Sequence, residues 1–85
     1  SGPPDAAGAI YRAFSKGRML YGYFDKVPGN KCRITVSNLL GQVLWRQELV
    51  GSGQHELGSQ YSSGLYIVSF YNSDGQVSKK VFIGN

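Results

Sequence analysis

One cysteine, one histidine and three prolines stand among the 85 residues of this chain. A single Cys32 admits no disulfide within the chain and no metal knuckle built on paired thiols. A lone His55 has no second metal ligand or nucleophile near it in sequence, and is read as an exposed residue of an edge strand. Carboxylates are also few, namely Asp5, Asp25, Glu48, Glu56 and Asp74. Asp25 and Asp74 fall in turn-forming sequence, where Asx-type hydrogen bonding accounts for them. Glu48 and Glu56 flank Gly51-Ser52-Gly53 and are placed to face each other across a hairpin, but an acid pair there lacks a cleft. Cys32 with His55 is a nucleophile and base pair that the composition allows, but the loop signatures that expose catalytic thiols are missing. Gly51-Ser52-Gly53 lacks the Gly-Lys-Ser/Thr of a phosphate loop and reads as a connection. The expectation is a protein that is no enzyme and that uses no metal or cofactor.

Long apolar runs are missing too. No stretch approaches the roughly 18 residues that a membrane-crossing helix needs, and no amino-terminal signal peptide pattern is present. An export signal, if used, is expected on a longer precursor. The formal charge of +4 and pI near 9.4 would favour polyanions. Yet the nine Lys and Arg are scattered, with only Lys79-Lys80 adjacent, and no RNA- or DNA-binding motif accompanies them. They read as charges that solvate faces and guard sheet edges, with no nucleic acid partner.

What the chain does have is glycine, 12 residues of it, and 13% aromatics. That composition, with almost no helix-forming run, fits a small sheet protein with frequent turns, long enough for one core and too short for two. The densest stretch is Ser63-Gly64-Leu65-Tyr66-Ile67-Val68-Ser69-Phe70-Tyr71, whose aromatic and β-branched residues suit a strand buried on both faces. Asn72-Ser73-Asp74-Gly75 follows as a tight turn, with Asp74-Gly75 expected to supply the positive φ. Beyond it, Val77, Lys79, Val81 and Ile83 share one side while Ser78, Lys80 and Phe82 share the other, which marks a partly exposed strand.

Upstream, residues 1–8 are Pro, Gly and Ala with one Asp and read as a flexible linker or an expression remnant, leaving a domain over 9–85. Ile10-Tyr11-Arg12-Ala13-Phe14 reads as a short first strand broken by Ser15-Lys16-Gly17, and residues 18–24 as a second with Leu20, Gly22 and Phe24 on one side. Val27-Pro28-Gly29-Asn30 is a turn. In residues 31–37 Cys32, Ile34 and Val36 alternate with polar neighbours, the pattern of a half-buried strand. Asn38-Leu39-Leu40-Gly41-Gln42 reverses the chain into residues 43–49, where Trp45 is the expected aromatic anchor of the core. Gln54-His55-Glu56-Leu57 reads as a short edge strand. Six or seven short strands separated by turn signals imply an all-β, antiparallel β-sandwich with a Greek-key crossover and no required helix. Tyr61, Tyr66 and Tyr71 are read either as exposed contacts or as caps on the core.

Four segments carry a resemblance, in order. Ile34-Thr35-Val36-Ser37-Asn38-Leu39-Leu40-Gly41-Gln42-Val43 is similar to a strand, a turn and a Gly-Arg/Gln-Val strand start. Gly53-Gln54-His55-Glu56-Leu57 resembles a Gly-x-His-x-Leu segment. Ser63-Gly64-Leu65-Tyr66-Ile67-Val68 resembles a Gly-x-Tyr-x-Val motif, and Gly75-Gln76-Val77-Ser78-Lys79-Lys80-Val81-Phe82-Ile83 a closing Gly-x-x-x-x-Lys-hydrophobic motif. From Lys31 onward this series resembles the type A C-terminal domain of type IX secretion system cargo proteins of Bacteroidetes. Two departures stand beside it: Tyr23-Phe24-Asp25-Lys26-Val27-Pro28-Gly29-Asn30 replaces a Tyr-Pro-Asn-Pro-like turn, and Gly84-Asn85 extends past the usual ending.

The resemblance implies an immunoglobulin-like sandwich that serves as a secretion signal. It would carry an attached cargo through the periplasm and across the outer membrane, to the surface or the medium. The partners implied are outer-membrane translocon and shuttle proteins and a sortase-like cysteine protease that cuts ahead of the domain, in the neighbourhood of residues 1–8. Gly64, Tyr66, Val68, Lys79, Lys80 and Val81 are the positions carried over as the recognition region. Each has a structural counterpart: Gly64 starts a strand, Tyr66 and Val68 pack the core, and the lysines guard an edge. The alternatives are an uncleaved docking domain of a surface component, and a carbohydrate-binding adhesion sandwich that uses the tyrosines. Self-association through strand edges stays open at this stage.

Overall fold

The computed structural model describes residues 8–84. The segment read as a linker lies outside the described residues apart from Gly8, and so does Asn85. Seven strands follow in order: β1 (Ile10–Lys16), β2 (Met19–Asp25), β3 (Lys31–Ser37), β4 (Val43–Val50), β5 (Gly53–Glu56), β6 (Gly64–Asn72) and β7 (Gly75–Ile83). They form two antiparallel sheets, β1-β2-β5 and β4-β3-β6-β7. The pairings β2 with β5 and β3 with β6 skip intervening strands, which is the Greek-key crossover. An immunoglobulin constant domain pairs its fourth strand with the fifth. Here β4 has changed sheets and lies on β3.

That placement follows from the turn between them. Asn38 Oδ1 accepts from the backbone N–H of Leu40 and of Gln42, and Asn38 N–H donates to the Gln42 carbonyl at 3.1 Å. The side chain thus satisfies two amides and holds the chain in a tight reversal. Val36 pairs with Trp45 and Ser37 with Val43, so Leu44 is the extra residue of a bulge.

Alternation decides which side of each strand enters the core. Leu20 and Phe24 of β2, Ile34 and Val36 of β3, and Val68 and Phe70 of β6 are fully buried, with Leu57 and Ile83. Each such side chain contributes on the order of 1.5–3 kcal/mol by leaving water. Gly22 lies between Leu20 and Phe24 because no side chain fits there: a Cβ would sit 3.0 Å from Leu57 Cδ1 and 3.4 Å from Ile34 Cδ1. Trp45 only half enters this core, because β4 is an edge strand whose inner face reaches the margin of the facing sheet.

Several local expectations change. Ser15 and Lys16 continue β1 instead of breaking it, since the Lys16↔Met19 pair lets Gly17 and Arg18 alone make the hairpin turn. In the last hairpin, Asn72 pairs with Gly75, so the corner is Ser73-Asp74 and not Asp74-Gly75. Asn72 Oδ1 caps it by accepting from Asp74 N–H at 2.8 Å, and the positive φ appears at the strand start, at Gly75. The Val27–Asn30 turn is as read, with Gly29 at φ 67° after Pro28 and Asn30 N–H donating to the Val27 carbonyl at 3.0 Å.

Candidate recognition surface

The six carried-over positions all fall in the β6–β7 hairpin, and its register sets them opposite one another. Tyr66 pairs with Val81, Val68 with Lys79, and Ile67 with Lys80. Burial then divides the six. Val68 is completely buried, Tyr66 and Val81 are each 6% exposed, and Lys79 and Lys80 are open to solvent. Of the two uses read for Tyr66, contact or core packing, burial selects the core.

Tyr66 has a further use. Its hydroxyl donates to the carbonyl of Ser62, four residues upstream, at 2.5 Å, and lies 3.3 Å from Ser62 Oγ. A tyrosine near the start of the sixth strand that reaches back to the preceding corner is the tyrosine corner of immunoglobulin-type sandwiches. Tyr61 repeats the device, donating to the Leu57 carbonyl at 2.5 Å and meeting the Tyr66 ring edge-on at 5.2 Å. Burial, together with the neighbouring Tyr66, pushes the Tyr61 phenol above its ordinary pKa. Gly64, at φ 151°, turns the chain out of this corner in a conformation that side chains rarely adopt.

The other residues singled out for chemistry are kept apart. Cys32 is 1% exposed, more buried than expected, and its thiol faces the Tyr71 backbone and the Asn72 side chain; burial raises its pKa, against the lowering effect of those two hydrogen bonds. His55 is half-buried rather than exposed, stacked on Phe24 with ring centroids 5.2 Å apart and its Nε2 2.7 Å from the Gly51 carbonyl. Glu48 and Glu56 belong to different sheets, Glu48 opposite Arg33 and Glu56 opposite Tyr21, so they form no acid pair. Among the described residues no group of three or more His, Cys, Asp or Glu could hold a metal ion.

What sequence reasoning missed is the outer face of the four-stranded sheet. The β3, β6 and β7 registers bring Thr35, Ser69 and Ser78 into one transverse row. Thr35 and Ser69 are buried although they point away from the core, and Ser69 Oγ lies 2.9 Å from Ser78 Oγ. This row floors a shallow trough of about 470 Å³ that Lys79 and Lys80 border on the β7 side. On the β4 side Arg33, its guanidinium 5.8 Å from the Tyr71 ring centroid, and Arg46 line a second hollow that shares Thr35, Val43 and Tyr71. The face offers hydroxyls at its centre and cations on both flanks. The polar alternation of residues 31–37 and 76–80 carried half of this signal, but the row depends on the strand order.

Residues 20–84, about three quarters of the chain, match the family described as a secretion system C-terminal sorting domain. The chain belongs to that family. The sorting domain is a C-terminal signal of type IX secretion, and its family is not one of enzymes. The match begins fourteen residues before Ile34, where the four motifs begin, and so takes in β2 apart from Met19 as well. No curated protein matches the sorting domain significantly. Its role implies interaction with the secretion machinery and export across the outer membrane, to the surface or beyond. Among the described residues no helix is long and apolar enough to cross a membrane.

Proposed function

We propose that residues 9–85 form the sorting domain, and that the secretion machinery reads its β7 margin by charge: Lys79 and Lys80 present cations to an acidic patch on an outer-membrane translocon or shuttle component. The observation that carries this reading is the division of the motif residues by burial. Tyr66, Val68 and Val81 are occupied in holding the hairpin, which leaves the two lysines as the motif side chains a partner can touch. In this reading the domain passes through the periplasm already folded, because its recognition features exist only once β6 and β7 are paired. A sortase-like cysteine protease then cuts in the segment 1–8, ahead of β1. The domain itself performs no catalysis.

The test is a cargo fusion in the producing bacterium. Lys79→Glu with Lys80→Glu changes two exposed residues, so the purified variant should melt with the parent, while the cargo accumulates in the periplasm instead of at the surface. Removing residues 75–85 should also block export, by opening the edge of β6 that β7 covers. Normal surface display of the charge-reversed cargo would sink the lysine reading, and normal display of the truncation would sink the claim that this hairpin is required.

A further inference from the structure

We infer that the sorting domain pairs with a second copy of itself through the open edge of β4, joining two four-stranded sheets into one of eight strands. The inference stands apart from the sorting reading.

The edges of the sandwich are not protected alike. β5 has only four residues. β7 carries Lys79 and Lys80, and β1 carries Arg12 and Lys16; these two edges also lean on each other, with Ser15 Oγ donating to the Phe82 carbonyl at 2.9 Å. Such charges and covers are the usual guards against edge pairing. β4 is eight residues long, its two charges, Arg46 and Glu48, are opposite in sign and so repel no second copy as a set, and it exposes Val43, Leu44 and Val50, the last at 70%.

The backbone fixes which registers are open to a partner. Gly51 N–H donates to the Asn30 carbonyl at 2.8 Å, and from there the β3–β4 pairing runs unbroken to Val36↔Trp45. In an antiparallel ladder the hydrogen-bonded pairs alternate. Leu49, Gln47 and Trp45 therefore turn their amides towards β3, while Val50, Glu48 and Arg46 turn theirs outwards. A second β4 must bond to these outward residues, so an isologous pair can be centred on Arg46, Gln47 or Glu48. Centring on Arg46 sets arginine against arginine, and centring on Glu48 sets glutamate against glutamate. Centring on Gln47 sets Arg46 against Glu48 of the second copy, twice, and Leu44 against Val50, twice. On the other face it sets Trp45 against Leu49. Of these three registers, this one makes the strand complementary to its own reverse, which is the requirement of a two-fold interface. The bulge at Leu44 ends the ladder at the apolar pair. Arg33, cross-strand from Glu48, adds a second cation beside that carboxylate.

The test uses the whole 85-residue chain. Sedimentation velocity should show concentration-dependent dimers, and Arg46→Glu or Glu48→Arg should each weaken self-association about tenfold by placing like charges opposite one another twice. Arg46→Glu combined with Glu48→Arg should restore it. Gln47 lies on the two-fold axis in a pair whose Cα atoms stand about 4.5 Å apart, inside disulfide reach. Gln47→Cys should form a disulfide-linked dimer on oxidation, and Arg46→Cys, facing Glu48 of the second copy, should not. A chain that stays monomeric at all concentrations, a double reversal no better than the singles, or equal cross-linking by the two cysteine variants would overturn the proposal.

Discussion

Tyr66→Phe isolates one atom. The ring stays in its buried place, and only the hydroxyl that donates to the Ser62 carbonyl at 2.5 Å is removed. A neutral hydrogen bond contributes about 1 kcal/mol net, and a carbonyl left unpaired in a part-buried corner raises the cost towards about 2 kcal/mol. For a domain of this size each kcal/mol lowers the melting temperature by about 4–8 °C. Thermal unfolding followed by circular dichroism should therefore show a fall of about 5–15 °C. Urea unfolding should show a lower midpoint with an unchanged slope, since the surface exposed on unfolding is the same. Tyr61→Phe removes the matching bond to Leu57 and should cost a similar amount. Because the two rings touch edge-on at 5.2 Å, the double variant should depart from the sum of the single losses. A Tyr66→Phe domain that melts with the parent would refute the reasoning that this corner is a fastening of the fold.

Gly22→Ala should cost about 1–3 kcal/mol by overpacking, because the added carbon meets Leu57 Cδ1 at 3.0 Å in a fully buried setting; adding Leu57→Val should recover part of the loss, measured by the same urea midpoints. The pKa values of Cys32 and Tyr61 are both raised, chiefly by burial, so the fold favours their protonated forms. Their stabilising contribution is whole below the ordinary thiol and phenol values of about 8.5 and about 10, and is lost as pH rises through the folded-state values. The urea midpoint should hold at neutral pH and fall in that alkaline window, and Cys32→Ala together with Tyr61→Phe should flatten the fall.

Sandwich architecture was legible in the sequence because alternation is a local signal. Cys32, Ile34 and Val36 against polar neighbours, and the dense run from Leu65 to Tyr71, needed no partner to be read as strands. The turns were legible wherever one residue type had one use, as with Pro28-Gly29. Side chains whose fate depends on a distant strand were not. Tyr66 could be read as a contact or as a cap on the core, and only the corner at Ser62 decides between them and gives its hydroxyl a use. His55 looked like an edge residue, and its strand is an edge, but Phe24 across the sheet gives its ring a stacking partner. The hydroxyl row of Thr35, Ser69 and Ser78 required knowing that β6 lies between β3 and β7. The hairpin itself was legible from its strand residues and its Asn72-Ser73-Asp74-Gly75 turn, whereas its six recognition positions came from the family resemblance; which of those positions reach solvent came from burial.

Ser15 near the beginning of the domain donates to the carbonyl of Phe82 near its end, and β3 waits for β6 across more than two dozen intervening residues. Little of this body can consolidate while the ribosome is still extending it, and pairings so distant along the chain close slowly. A prematurely terminated product would lack the final ribbon and with it the neighbour of its own first strand. If the machinery reads the paired β6–β7 hairpin as proposed, export would double as a completeness check, passing only polypeptides translated to the last strand.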